Sequence, residues 1–241
     1  MEVITQIVQS RKILKEVLKN DYNTDILPIY TIDEMDKLFD LESTKDNPYK
    51  SLGKGNGNAC NFTLNHKIIV GYHLHVLYYN FQKDGKTKTM KSIITNIMKL
   101  YEEKVFNYTD NIIIILNETI KDTINVLCNE LNILLKNSND EIIENDIGLE
   151  IRHFGNVYMF DIKALQYNIL EHDVVPEHII YRDKEDIDKI LDICNCSIDQ
   201  LPIISKTDPV AKLKMCVPGD ICKIMRTSKT CGKYPYYRVC K

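Results

Sequence analysis

Five consecutive aliphatic residues, Ile112-Ile113-Ile114-Ile115-Leu116, stand between two segments of helical periodicity. A strand apolar on both alternating faces must be covered on both sides, so it belongs at the centre of a sheet. Before it, Met90, Ile93, Ile94, Ile97, Met98, Tyr101 and Val105 repeat near a 3.6-residue period. After it, Ile120, Ile124, Leu127, Leu131 and Leu134 do the same. The chain from His66 to Phe81 has strand character, and a third strand falls between Leu149 and Phe160. Strand, helix, strand, helix, strand implies right-handed crossovers and a mainly parallel sheet. Residues 1–165 are therefore predicted to form an α/β domain. An amphipathic helix over residues 3–18 opens it, and a short helix follows from Ile32 to Phe39. Residues 40–61 are polar and read as a long loop. Gly53, Gly55 and Gly57 invite comparison with a phosphate loop, but a strand follows where that motif needs a helix, which excludes it.

The pattern changes after Asn168. Ile169 to Val175 reads as extended and stops at Pro176, and Asp183 to Cys194 as a short helix with an acidic first turn. Asp220 to Ile224 and Tyr234 to Val239 read as two strands joined through Ser228-Lys229-Thr230-Cys231-Gly232. Residues 166–241 are thus predicted to be a small α+β domain.

Net charge is only −3, yet residues 206–241 carry nine basic and two acidic side chains, against three and nine in residues 171–205. A basic block suits a solvated face, a docking surface for an acidic partner or a nucleic-acid patch. Strand-like alternation and few arginines favour the first two. No apolar run approaches the ~20 residues that span a bilayer, and no basic-then-apolar leader precedes Ser10. No membrane partner is expected. Eight cysteines without a leader are expected to be reduced thiols. Cys194 and Cys196 form a C-x-C; with His172 and His178 they are one way to build a metal site, but structural zinc normally shows paired short spacings. His73 and His75 share a strand face with no acidic residue at a telling distance, and are read as lining a solvated or subdomain-facing side. Cys60 and Cys128 have no activating neighbours in sequence and are read as structural thiols.

Five strings in the second domain carry more information. They are Glu171-His172-Asp173-Val174-Val175-Pro176-Glu177-His178, Gln200-Leu201-Pro202-Ile203-Ile204, Asp208-Pro209-Val210-Ala211-Lys212, the run from Gly219 to Gly232, and Tyr237-Arg238-Val239. In this order they closely resemble the assembly domain of the fifth subunit common to eukaryotic nuclear RNA polymerases, a domain with an archaeal counterpart. The first domain resembles the family more weakly, through Arg11-Lys12-Ile13-Leu14-Lys15-Glu16-Val17-Leu18 with Asp21-Tyr22. Two domains imply a eukaryotic-type member or one carried by a large DNA virus, hence an intracellular protein of the nucleus, or of the virion or replication site.

The resemblance implies a non-catalytic subunit that docks on the largest polymerase subunit through its second domain. It implies no cofactor and no small-molecule substrate of its own, with Mg held in the catalytic subunits. The docking candidates are His172, Pro176, His178, Pro202, Asp208, Pro209, Gly219, Lys223, Arg226, Gly232, Tyr237 and Arg238. Asp208 before Pro209 suits a helix cap with proline at the first position. Arg226 and Arg238 are expected near the ends of neighbouring strands, facing carboxylates or carbonyls of a partner. The first domain is implied to resemble restriction endonucleases in fold and to line the jaw around downstream duplex DNA. There Lys83, Lys86, Lys88 and Lys91 surround a single Asp84 and give a local +3. The family usually has a proline-containing turn where this chain has Asn117-Glu118-Thr119-Ile120. Two alternatives remain: a free-standing nucleic-acid-binding regulator and a nuclease. A nuclease needs carboxylates and a lysine converging on a metal, and the strands that should carry them read Asn61-Phe62-Thr63-Leu64 and His73-Leu74-His75-Val76.

Overall fold

A computed structural model describes residues 2–40, 49, 52, 57–81, 89, 91–139 and 151–241. The chain divides into two compact units, Met1–Tyr167 and Asn168–Lys241.

The first unit opens with α1 (Glu2–Leu18), whose apolar stripe Ile4, Ile7, Val8, Leu14 and Leu18 is buried. A capping box starts α2 (Ile32–Asp40): the Thr31 N–H donates to Glu34 Oε2 at 2.8 Å, and Glu34 N–H returns to Thr31 Oγ1 at 3.3 Å. Four strands follow, β1 (Phe62–Asn65), β2 (His73–Tyr79), β3 (Asn111–Leu116) and β4 (Val157–Asp161), in the spatial order β1-β2-β3-β4. The pairs β2–β3 and β3–β4 are parallel and β1–β2 is antiparallel. The mainly parallel sheet is therefore as expected, with an antiparallel edge added. All six residues of β3 are buried. Leu77, Ile112, Ile114, Leu116 and Met159 meet α3 (Ser92–Glu102) and α4 (Asp122–Asn139) through Ile93, Ile97, Leu100, Leu131 and Leu135. Tyr78 points the other way, and its hydroxyl lies 2.8 Å from Ser10 Oγ of α1.

Two expectations change. His66–Phe81 is not one strand: residues 66–72 turn between β1 and β2, with Gly71 at φ 81°. The cause is local. His66 Nδ1 accepts the N–H groups of Ile68 and Ile69 at 3.2 and 3.1 Å, and Ile68 and Val70, apolar in composition, stand 85% and 95% exposed. Likewise Ile169–Glu171 is a 3-10 turn rather than extended chain, because Asn168 caps it by accepting from Leu170 N–H.

The second unit is a four-stranded sheet in the order β5-β7-β8-β6. Its strands are β5 (His178–Tyr181), β6 (Ile203–Ile204), β7 (Ile221–Ser228) and β8 (Gly232–Cys240). The long β7–β8 hairpin forms the centre, and β6 joins β8 in parallel. One face packs Ile221 and Val239 on Ile187 and Ile190 of α5 (Lys184–Cys194). The other packs Cys222, Ile224 and Cys240 on Ala211 of α6 (Pro209–Leu213). Among the described residues, no helix is long and apolar enough to cross a membrane.

Candidate functional site

The β7–β8 hairpin extends beyond its own core, and that projection holds the principal docking candidates. Cross-strand pairing sets Cys222 opposite Arg238, Ile224 opposite Tyr236 and Arg226 opposite Tyr234, so these side chains share one face. Cys222 and Ile224 are buried with α6; Tyr236 and Arg238, level with them on β8, and Arg226, one step towards the hairpin end, are half-buried on the same face. The Arg226 guanidinium carbon lies 4.0 Å from the Tyr236 ring centroid and that of Arg238 lies 5.5 Å away. One phenol thus orients two guanidiniums by cation–π attraction. Arg238 Nε is buried with no hydrogen-bond partner. As expected, both arginines lie near the ends of neighbouring strands, Arg226 in Ile221–Ser228 and Arg238 in Gly232–Cys240; their gathering around Tyr236 is an addition that follows from the hairpin register.

Lys223 and Tyr237 form a cross-strand pair on the opposite face. Gly232 opens β8 at φ 67°, opposite Ser228, which explains glycine at the hairpin corner. The Asp208 carboxylate accepts from Val210 and Ala211 N–H at 2.9 and 3.3 Å, with Pro209 at the first position of α6. Gly219, at φ 95°, donates its N–H to Cys240 O at 3.0 Å. The Pro202 carbonyl accepts from Val239 N–H at 2.9 Å. The His178 ring nitrogen Nδ1 lies 2.6 Å from Pro176 O, and His172 Nδ1 accepts from Val174 N–H at 3.2 Å. Most of these candidates therefore build turns and register that hold the hairpin, while Arg226 and Arg238 are half-buried beside Tyr236. Buried Asp220, absent from the candidates, accepts from Val217 N–H at 3.0 Å and lies 3.8 Å from Arg182 Nε. Lys83, Lys86 and Lys88 lie outside the described residues, and Lys91 is exposed immediately before α3.

In the first unit, His73 and His75, expected to line a solvated or subdomain-facing strand side, instead meet a carboxylate, with His75 buried and His73 half-exposed. Asp110 is 1% exposed and accepts from His73 N–H at 3.1 Å and from Asn107 N–H at 2.9 Å. The rings of His73 and His75 meet its two oxygens at 3.2 and 3.1 Å. His75 is buried, stacked on Phe106 at 4.1 Å, with Nδ1 at 2.9 Å from Thr63 Oγ1. Burial by itself would raise the Asp110 carboxyl. The His75 hydrogen bond, the Asn107 N–H and the charge of the two imidazoles outweigh it and hold the group below its ordinary range. The partner was invisible in sequence because 35 residues separate Asp110 from His75. Both rings turn to the carboxylate, and among the described residues no group of three His, Cys, Asp or Glu side chains could hold a metal ion. Burial pushes the Cys60 thiol up to about 12 and Cys222 up to about 11, consistent with structural roles.

The second unit is where the chain is similar to known proteins. The family described as RNA polymerase Rpb5, C-terminal domain, matches residues 167–240. The DNA-directed RNA polymerase subunit Rpo5 of Methanosphaera stadtmanae is 45% identical over 75 residues, 31% of this chain and 96% of the relative. That of Aeropyrum pernix is 44% identical over 70 residues, 29% of this chain and 77% of the relative. That of Pyrococcus abyssi is 42% identical over 74 residues, 31% of this chain and 89% of the relative. These archaeal subunits are little longer than the second unit itself, and the strings gathered around the β7–β8 hairpin fall within the matched segment. The chain belongs to the Rpb5/Rpo5 family of RNA polymerase subunits.

Proposed function

We propose that this chain is a non-catalytic structural subunit of a DNA-directed RNA polymerase. On this reading it docks on the largest subunit through Asn168–Lys241, and its first unit lines the path of downstream duplex DNA. One observation carries the reading: relatives named as polymerase subunits match the second unit over most of their own length. The docking surface is the outer hairpin face, where Arg226 and Arg238 flank Tyr236 and offer a partner carboxylate two planar cations. The largest subunit supplies the opposing carboxylates, and Mg belongs to the catalytic subunits.

DNA contact is assigned to Lys83, Lys86, Lys88 and Lys91. It is sequence-independent, since phosphates position a duplex and only base edges specify it. Tagged purification in high salt tests the assembly: residues 168–241 should bring down the other polymerase subunits and residues 1–167 should not. The reverse outcome overturns the assignment. Replacing Lys83, Lys86 and Lys88 by Ala should flatten the log K against log salt slope by about 0.9 per lost phosphate contact. An unchanged slope and elongation-complex lifetime would return the segment to plain solvation.

A further inference from the structure

Among the described residues, Arg11 is a buried cation without a counter-ion. It is 7% exposed, yet the described structure gives its guanidinium one neutral acceptor, Cys60 O at 2.6 Å from Nη1, and no carboxylate. Its Nε is buried with no hydrogen-bond partner. Aromatic faces supply the rest of its surroundings, with the guanidinium carbon 4.5 Å from the Phe62 ring centroid and 5.3 Å from that of Tyr30. Taking a guanidinium from water with so little compensation is costly unless an anion completes the site.

The same side chain lines a cleft of about 180 Å³, between α1, the segment 26–30, α2 and β1. A second orphaned donor, Asn61 Nδ2, belongs to that wall; its Oδ1 is engaged, accepting from Tyr78 N–H at 2.7 Å. The remaining walls are mostly apolar, Leu27, Pro28, Leu38, Phe62 and Leu64, with Tyr30 and Thr63 adding two hydroxyl-bearing side chains. Around the cleft, Ile26, Ile29 and Ile32 stand 56%, 69% and 45% exposed. Two unsatisfied donors inside an aliphatic rim describe an anionic head on an apolar body.

We propose that this cleft receives a carboxylate side chain of a partner protein, an Asp or Glu carried on an apolar segment. The guanidinium and the Asn61 amide take the carboxylate oxygens, and the flanking aliphatic residues cover Ile26, Ile29 and Ile32. A small free anion leaves those isoleucines in water. A nucleic-acid backbone meets Asp21, Asp25, Asp33 and Glu34, the exposed acidic neighbours of the rim, with Lys12 and half-buried Lys15 the nearby cations of α1. Lys15 is partly engaged already, donating to Leu27 O at 3.3 Å. A single carboxylate on an apolar segment suits both the charge and the rim. The inference stands on the first unit alone and is independent of the polymerase reading.

The test titrates the isotope-labelled full chain with acetyl-Ala-Ile-Asp-Leu-Ala-amide, its Asn counterpart and inorganic phosphate, following the Arg11 Nε–H resonance and the Ala59 and Asn61 amides. The Asp peptide should shift all three and bind about tenfold tighter than the Asn peptide, as expected when one partner of a buried charge pair is neutralised. The double variant Ile26→Ser, Ile29→Ser should keep the spectrum of the folded chain and lose most of that binding. Arg11→Gln, which removes the charge, should remove the preference for Asp over Asn; if that variant fails to fold, the rim variant still decides. Equal binding of the two peptides overturns the proposal, as does an equal response to phosphate. So does an Arg11 Nε–H resonance unmoved by the Asp peptide up to the order of millimolar.

Discussion

The two units are stabilised in different ways. The largest fully buried side chains, among them Tyr78, Tyr101, Phe39, Phe81 and Phe106, all lie in the first, around a sheet whose central strand has no exposed residue. The second is small and held by fixed points: the Asp208 cap, the positive-φ glycines Gly219 and Gly232, the carbonyl of Pro202 and the buried carboxylate of Asp220. Such positions demand particular residue types, whereas aliphatic cores tolerate exchange of Ile, Leu and Val when volume is kept. The family match falls on residues 167–240, which is nearly all that the matched archaeal subunits contain.

The sharpest way to test that difference is to remove volume from the first unit. Ile114→Ala, at the centre of β3, should cost about 2–5 kcal/mol, read by urea unfolding, and leave polymerase assembly through the second unit intact. Replacing Arg226 and Arg238 by Ala should act in reverse. Assembly should weaken by about 2–5 kcal/mol per arginine paired with a buried partner charge, with little change in unfolding midpoint. If both measurements moved together in both variants, the units would not be separable. Asp208→Ala should cost about 0.5–2 kcal/mol, confined to amides of the second unit by hydrogen exchange.

The smallest effect is pH-dependent. The folded carboxyl of Asp110 is depressed, so the stability it contributes is present above its unfolded value and lost as pH falls through the folded one. Unfolding measured from neutral pH downward should therefore show an acid limb below the ordinary carboxylate range. Asp110→Asn should flatten that limb; an unchanged profile would remove His73 and His75 as its cause.

Periodicity made α3 and α4 readable and an unbroken aliphatic run made β3 readable, since both are local properties of sequence. A helix cap is local too, and Asp208–Pro209 performs the cap its spacing predicted. Contacts between distant segments were not. Nothing local joins Asp110 to His75, Arg11 to Phe62, or Tyr236 to Arg226. Local chemistry also misled: His66 captures two backbone N–H groups and breaks the apolar run that resembled one strand. Nothing in the spacing of Arg226 and Arg238 announces Tyr236; only the hairpin register reveals the tyrosine between them.

The strand orders have a consequence for biosynthesis. In the first unit β1, β2, β3 and β4 are neighbours in the order in which they are made, so each new strand can add to a growing edge. In the second, β8 is made after β5, β6 and β7 but sits between β7 and β6. Until it arrives, β6 has no sheet to join and the α5 and α6 cores lack Val239 and Cys240. A ribosome-bound chain can therefore carry a settled first unit beside a second that is still open, with its family-specific surface the last part of the molecule to exist.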